Sequence, residues 1–146
     1  MMEQRVLDEK QTEKLAGKIA AKVKGGRTIG LVGGLGAGKT TFVRYFAEGL
    51  GVKNRVSSPS YALCFEYQTP QGLLIEHWDL YRVTEVPQEL LEPVSPDVIR
   101  LIEWADKFPS ILSDLDAVLS FSLSEQDPEG PRTLGFVGQL LEEGLE

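Results

Sequence analysis

The chain has 146 residues, 42% of them apolar and 25% charged, a globular composition that sets disorder aside. A single cysteine, Cys64, and a single histidine, His77, exclude an internal disulfide and a Cys/His zinc site. At a formal net charge of −7 the chain is poorly suited to gripping nucleic acid by itself, because neutralising phosphates takes clustered Lys and Arg. Solubility is the simpler account of that acidity.

No apolar run reaches bilayer-spanning length, and Met1-Met2-Glu3-Gln4-Arg5 lacks the basic-then-apolar pattern of a signal peptide. The expectation is a cytoplasmic protein. With no repeat and no linker composition, residues 1–146 are expected to form one domain.

In chain order, Arg5 to Leu7 reads as a short strand. Asp8 is a candidate N-cap for a helix over 9–24, with Leu15, Ile19 and Val23 on one face and Gly25-Gly26 as its stop. Thr28 to Val32 is a compact apolar run that reads as a buried parallel strand. A glycine loop follows, then a helix from 39 to about 50 with Phe42, Val43 and Phe46 inward and Gly51 past its end. Residues 61–67 and 73–80 read as strands joined by Thr69-Pro70-Gln71-Gly72, a hairpin signal that predicts antiparallel pairing. A polar, proline-punctuated stretch over 84–97 is expected to hold a short helix. Val98 to Ile102 is another strand, ending at Glu103-Trp104. Ala117 to Leu123 and Thr133 to Val137 are late strands around an acidic turn-rich loop, before a polar tail with helical character. This order predicts one α/β domain with a mixed parallel and antiparallel central sheet flanked by helices, to which the motif in the glycine loop adds the character of a P-loop NTPase.

Residues 33–40 read Gly-Gly-Leu-Gly-Ala-Gly-Lys-Thr, the full P-loop pattern, between an apolar strand and an amphipathic helix. Gly34, Gly36 and Gly38 lack Cβ atoms, so the loop can wrap a phosphate with its amides inward. The helix that follows adds its positive end. Lys39 supplies charge to the β- and γ-phosphates, and the Thr40 hydroxyl can ligate Mg²⁺. A bare glycine-rich turn is the competing account, and the strand–loop–helix context counts against it.

A metal-holding carboxylate is expected at the end of a neighbouring strand. Glu103, after Val98-Ile99-Arg100-Leu101-Ile102, fits that character, against the alternative of a solvent-facing strand-end acid. Asp79 is a second candidate, with a plain ion pair to Arg82 as the equal alternative. Ser57-Ser58-Pro59-Ser60-Tyr61 is either a phosphate-sensing loop or a simple Ser/Pro turn. His77 reads as a satisfied structural histidine, Trp78 and Trp104 as core aromatics, and Cys64 as an inert core residue.

The nucleotide is expected to be ATP: the only asparagine, Asn54, is followed by Arg55, so no guanine-reading Asn-Lys-x-Asp is present. The seven arginines are scattered, without the lid cluster of a small-molecule kinase. A small ATPase or ATP switch is the favoured reading. A nucleotide-gated binding module without significant hydrolysis and a small-molecule kinase are the alternatives.

Four motifs stand in order: Gly-x-Leu-Gly-Ala-Gly-Lys-Thr-Thr at 33–41, Ser-Pro-Ser-Tyr at 58–61, His-x-Asp-Leu-Tyr-Arg at 77–82 and Ile-Glu-Trp at 102–104. Together they resemble the TsaE family, also called YjeE, over residues 5 to about 137. The resemblance implies a P-loop ATPase that binds ATP and Mg²⁺ in bacterial tRNA threonylcarbamoyladenosine biosynthesis. It implies work with TsaB and TsaD, which attach the group at tRNA position 37, so that tRNA is met only through the complex. Because no arginine stands in a motif that marks it as a finger, hydrolysis is expected to be weak alone and completed by the partners.

Carried over residue by residue, the resemblance implies that Gly34, Leu35, Gly36, Ala37, Gly38, Lys39, Thr40 and Thr41 hold the phosphates. It implies Thr40 and Glu103 as Mg²⁺ ligands, with Asp79, Glu103 and Lys39 as the groups for hydrolysis. Ser60 matches a family threonine in a switch-like loop, and Glu9 and Arg132 match flanking nucleotide positions. The chain departs from the pattern at Gly34, where the family commonly has Asp, at Trp78 in place of Phe, and at Ala105 in place of Pro. None of these removes a phosphate or metal group.

Overall fold

A computed structural model of the protein describes residues 3–34, 36–53, 63–122 and 132–137. Strand β1 (Glu3–Leu7) leads into helix α1 (Glu9–Lys22). Asp8 starts that helix as expected: its carboxylate accepts from the Gln11 amide at 2.8 Å, while the Gln11 side chain accepts from the Asp8 amide at 2.9 Å. This reciprocal capping satisfies two of the donors that a helix start leaves unpaired. The helix stops two residues earlier than expected, because Val23 turns extended before the glycine pair is reached.

Strand β2 (Arg27–Gly33) feeds the glycine loop and helix α2 (Lys39–Gly49). The 3.6-residue spacing of apolar positions buries Leu15, Ala16, Ile19 and Ala20 from α1, and Phe42, Val43, Phe46 and Ala47 from α2. Both helices pack into one core with Ile29, Leu31, Ile75, Ile99, Leu101 and Leu119 of the sheet. They approach closely: a Cβ added at Gly49 would stand 3.0 Å from the Ala20 Cβ. Each fully buried apolar side chain of this core contributes about 1.5–3 kcal/mol.

The remaining strands are β3 (Cys64–Gln68), β4 (Leu74–Asp79), β5 (Val98–Glu103), β6 (Ala117–Ser122) and β7 (Arg132–Val137). One seven-stranded sheet runs in the order β1-β7-β6-β2-β5-β4-β3. The pairs β6–β2, β2–β5 and β5–β4 are parallel. The β3–β4 hairpin, β6–β7 and β7–β1 are antiparallel. The mixed sheet and the hairpin are therefore as the sequence led one to expect.

The strands differ from expectation at their ends. β5 runs through Glu103, and the hairpin strands begin at Cys64 and Leu74 because the pairing Cys64↔Trp78 to Gln68↔Leu74 sets their register. The short helix expected in the stretch 84–97 is present as a 3₁₀ turn at Gln88–Leu91. A second 3₁₀ turn (Ala105–Lys107) and a single-turn helix α3 (Pro109–Leu112) were not expected, being too short for a periodic signal. These short pieces cover the other sheet face, where Trp78, Leu80, Leu90, Ile102, Ala105 and Ile111 form a second core. The expected turns around Ser57–Tyr61, the loop at 124–131 and the tail lie outside the described residues. Among the described residues, no helix is long and apolar enough to cross a membrane.

Candidate active site at the end of the parallel strands

The C-terminal ends of β2, β4 and β5 meet beside the start of α2. Parallel pairing sets Leu31 against Glu103 and Asp79 against Glu103. The ladder continues past the strand ends: the Trp104 amide donates to the Leu31 carbonyl at 2.9 Å and the Leu80 amide to the Glu103 carbonyl at 3.1 Å. Clefts at such strand ends are where open α/β sheets bind ligands.

The glycine loop leaves β2 through a residue that has to be glycine. Gly33 has φ of 145°, and a Cβ there would stand 2.3 Å from the Phe121 carbonyl oxygen of β6. Gly38, at φ of 110°, turns the chain into α2 without any side-chain cap. The first amides of α2 and its positive end are thus left to the loop. The Ala37 amide donates to the Gly34 carbonyl at 3.2 Å and closes the loop on itself. At Gly34 an added Cβ meets nothing within 4 Å.

Lys39 is the first residue of α2 and is buried. Its ammonium donates to the carbonyls of Gly33 at 2.5 Å and Gly34 at 2.8 Å, and stands 4.4 Å from the centroid of the Trp104 ring. Burial holds its pKa below the ordinary 10.5, while the charges of Glu103, Asp79 and Asp106 pull it back upward. A cation so placed can meet anionic oxygen at the mouth of the loop.

Thr40 follows, and its hydroxyl lies 3.2 and 3.1 Å from the two carboxylate oxygens of Glu103. Glu103 is buried, so it is not the solvent-facing acid of the alternative reading. Its second partner is His77, whose Nε2 lies 2.5 Å from Oε2. The other ring nitrogen of His77 lies 3.3 Å from the Tyr67 hydroxyl. Asp79 accepts the Tyr81 amide at 2.9 Å and so shapes the turn beyond β4.

Two residues matter here more than the sequence suggested. His77 is fully buried and satisfied, as expected of a structural histidine, but its partner is the candidate metal acid. A signal was available: β alternation puts 77 and 79 on one face of β4. Trp104 is only half-buried: it packs against the edge of the second core and also lines the site. It sits at φ of 63° with its ring 4.9 Å from that of Tyr81 and against Lys39. Trp78, by contrast, is buried as expected. Cys64 is only partly buried, at the first position of β3, and desolvation pushes its thiol up to about 12.

The flanking candidates fall differently. Glu9 accepts from the Tyr45 hydroxyl at 2.6 Å and from Arg44 at 3.1 Å, tying the start of α1 to α2. Arg132 opens β7 opposite Leu7, which brings its backbone to the same end of the sheet as the glycine loop. Thr41 is half-buried in α2, Ala37 is buried, and Gly36 is exposed in the loop at φ of 74°. Leu35 and Ser60 lie outside the described residues.

The donor set can be tested against Mg²⁺. Among the described residues no group of three His, Cys, Asp or Glu could hold a metal alone. Mg²⁺ beside phosphates needs only one or two protein ligands and takes the rest from phosphate and water. A hydroxyl and a buried carboxylate in mutual contact, Thr40 and Glu103, fit that requirement, with Asp79 beside Glu103 in the register.

Strand β2, the glycine loop with its lysine, and a hydroxyl–carboxylate pair across to β5 define a P-loop protein of the α/β class. The family model described as "Threonylcarbamoyl adenosine biosynthesis protein TsaE" matches residues 6–134. The chain belongs to the TsaE family. It is 45% identical over 101 residues to the "tRNA threonylcarbamoyladenosine biosynthesis protein TsaE" of Aquifex aeolicus, covering 68% of this chain and 73% of that one. To the protein of the same description from Haemophilus influenzae it is 41% identical over 95 residues, covering 62% of this chain and 59% of that one. The match thus spans less than two thirds of the H. influenzae relative. The crystal structure of YdiB from Bacillus subtilis superposes with a TM-score of 0.71 at 28% identity, covering 98% of this chain and 95% of that one.

Proposed function

We propose that this protein is a Mg²⁺-dependent ATPase of the cytoplasm that serves threonylcarbamoyladenosine biosynthesis at position 37 of tRNA together with the TsaB–TsaD complex. The observation that carries the nucleotide site is the contact of Thr40 with Glu103, directly beside the glycine loop and the Lys39 ammonium. Family membership carries the pathway, since the relatives bear its name.

In this reading the loop amides and the positive end of α2 bind the β-phosphate. Lys39 exchanges loop carbonyls for phosphate oxygens, a charge-assisted contact. Thr40 and Glu103 hold Mg²⁺, which neutralises charge on the transferred phosphoryl group when bound. Asp79, which accepts the Tyr81 amide and pairs with Glu103 in the register, would in this reading orient the attacking water or support the metal ligand. Ser60, Glu9 and Arg132 are proposed as flanking contacts to the nucleotide, and all domain functions are assigned to one unit, residues 1–146.

The chain's charge of −7 favours RNA contact through partners. An arginine supplied in trans can raise such a hydrolysis by about 10³- to 10⁵-fold, and no motif marks one in this chain. A second reading, a nucleotide-gated binding module, is favoured by glycine at position 34, where a Cβ would meet no neighbour and no carboxylate is supplied. Multiple-turnover ATPase assays with and without TsaB–TsaD decide between them. The proposal expects slow turnover alone and a large rise with the partners, with no tight tRNA binding by the lone protein in an anisotropy titration. A fast lone ATPase indifferent to the partners contradicts it, and a complex in which ATP binds without turnover supports the gated module.

A further inference from the structure

Resting on that reading of Thr40 and Glu103, we propose that His77, steadied by Tyr67, is the positioning residue that holds the Glu103 carboxylate toward the metal. The three residues come from three adjacent strands. Tyr67 lies in β3, His77 in β4 and Glu103 in β5, and the registers Tyr67↔Ile75 and His77↔Leu101 place them on a diagonal across one sheet face. That face is the one covered by α2, which presents Thr40 at the end of the diagonal.

The chemistry of the contacts fixes a direction. A carboxylate only accepts, so the His77 ring carries a proton on Nε2 and donates it to Oε2 of Glu103. The Tyr67 hydroxyl, 3.3 Å from Nδ1, fixes the ring's orientation from the other side. His77 is fully buried, Tyr67 and Glu103 nearly so, and among the described residues no buried side-chain nitrogen or oxygen lacks a partner. Without His77 the carboxylate keeps the Thr40 contact alone and gains freedom to rotate. Hydrogen-bonded outer partners of this kind set the orientation of metal-binding groups, and losing one typically weakens metal binding about 10- to 100-fold.

The test is calorimetric titration of Mg²⁺ into protein loaded with ADP, beside ADP titration in EDTA. His77→Phe removes the donor and keeps a ring of similar size. His77→Gln keeps an N–H that can reach the carboxylate, and Tyr67→Phe removes a single oxygen. The expected result is Mg²⁺ affinity about 10- to 100-fold weaker in His77→Phe, largely restored in His77→Gln, with ADP affinity in EDTA within about twofold of wild type. Wild-type Mg²⁺ affinity in folded His77→Phe, or a parallel loss of ADP affinity in EDTA, overturns the proposal. Should His77→Phe not fold, Tyr67→Phe decides: weakened Mg²⁺ binding at unchanged ADP affinity supports the proposal, and unchanged Mg²⁺ binding overturns it. If wild-type protein binds ADP with no dependence on Mg²⁺, the metal reading of Thr40 and Glu103 itself falls, and the positioning role with it.

Discussion

The Trp104 indole faces the Lys39 ammonium at 4.4 Å, and it does so from a left-handed backbone position at φ of 63°. Trp104 is the only non-glycine residue among those described with positive φ. The turn follows Glu103 directly, so the strain sits between the candidate metal acid and the residue that lines the lysine. Such strain costs on the order of 1–3 kcal/mol and persists where surrounding contacts hold it, here the Leu31 carbonyl and the Tyr81 ring.

A glycine accepts that φ without cost. Trp104→Gly and Trp104→Ala both lose the ring, but only alanine keeps a Cβ in the left-handed region. Trp104→Gly is therefore expected to be about 1 kcal/mol more stable than Trp104→Ala in urea denaturation. An alanine variant at least as stable as the glycine variant would show that the turn relaxes when the ring is removed.

Lys39 gives a pH dependence. Burial lowers its folded pKa beneath 10.5, so the folded state releases the proton at a lower pH than the unfolded chain. The resulting penalty on stability is fully present below the folded pKa and is relieved as pH rises from there toward 10.5. Nucleotide affinity moves the other way, because the phosphates lose a positive partner in the same window. Calorimetry of ADP in EDTA should show affinity falling as pH rises, with the fall setting in before pH 10.5 is reached in wild type, and a flat profile in Lys39→Met. A wild-type profile as flat as the variant's contradicts this role of the ammonium.

Cys64 should be close to inert. With its thiol pushed up to about 12, the reactive thiolate is scarce at pH 8. Modification by a disulfide reagent is expected to be about 10³-fold slower than for an ordinary thiol, and to become fast once the chain is unfolded in denaturant. Rapid labelling of folded protein would mean that β3 opens readily at its first residue.

Glu103→Ala should separate metal from nucleotide. The change leaves the buried His77 ring and the half-buried Thr40 hydroxyl short of a partner, at a cost of about 1–3 kcal/mol in stability, read by denaturant midpoint. Nucleotide binding in EDTA, carried by the loop and Lys39, should change little, whereas Mg²⁺-dependent turnover with partners present should fall. Wild-type turnover in this variant would shift the metal role to Asp79.

The loop and the strands that flank it were legible because their signals are local: Gly33 to Thr40 is contiguous, and the Asp8 cap needs only Gln11 three residues on. The hairpin at Thr69 to Gly72 was legible for the same reason. What escaped depends on contacts between distant residues. Tyr67, His77 and Glu103 form a line only after β3, β4 and β5 are in register. The left-handed turn at Trp104 has no glycine or asparagine to mark it. The second 3₁₀ turn and α3 span three and four residues, about one helical turn each and too short for a periodicity to repeat, so packing against the second core decides them.

The central claim is that the loop at 33–40 holds the phosphates of a nucleotide through Lys39. Calorimetric titration of ADP and of a non-hydrolysable ATP analogue into wild type and Lys39→Ala tests it most directly. Loss of a charge-assisted contact predicts saturable 1:1 binding to wild type and affinity about 10- to 100-fold weaker in the variant, with retained native circular dichroism of the variant as the control for folding. Equal affinity in the two proteins, or no binding to wild type, would contradict the account.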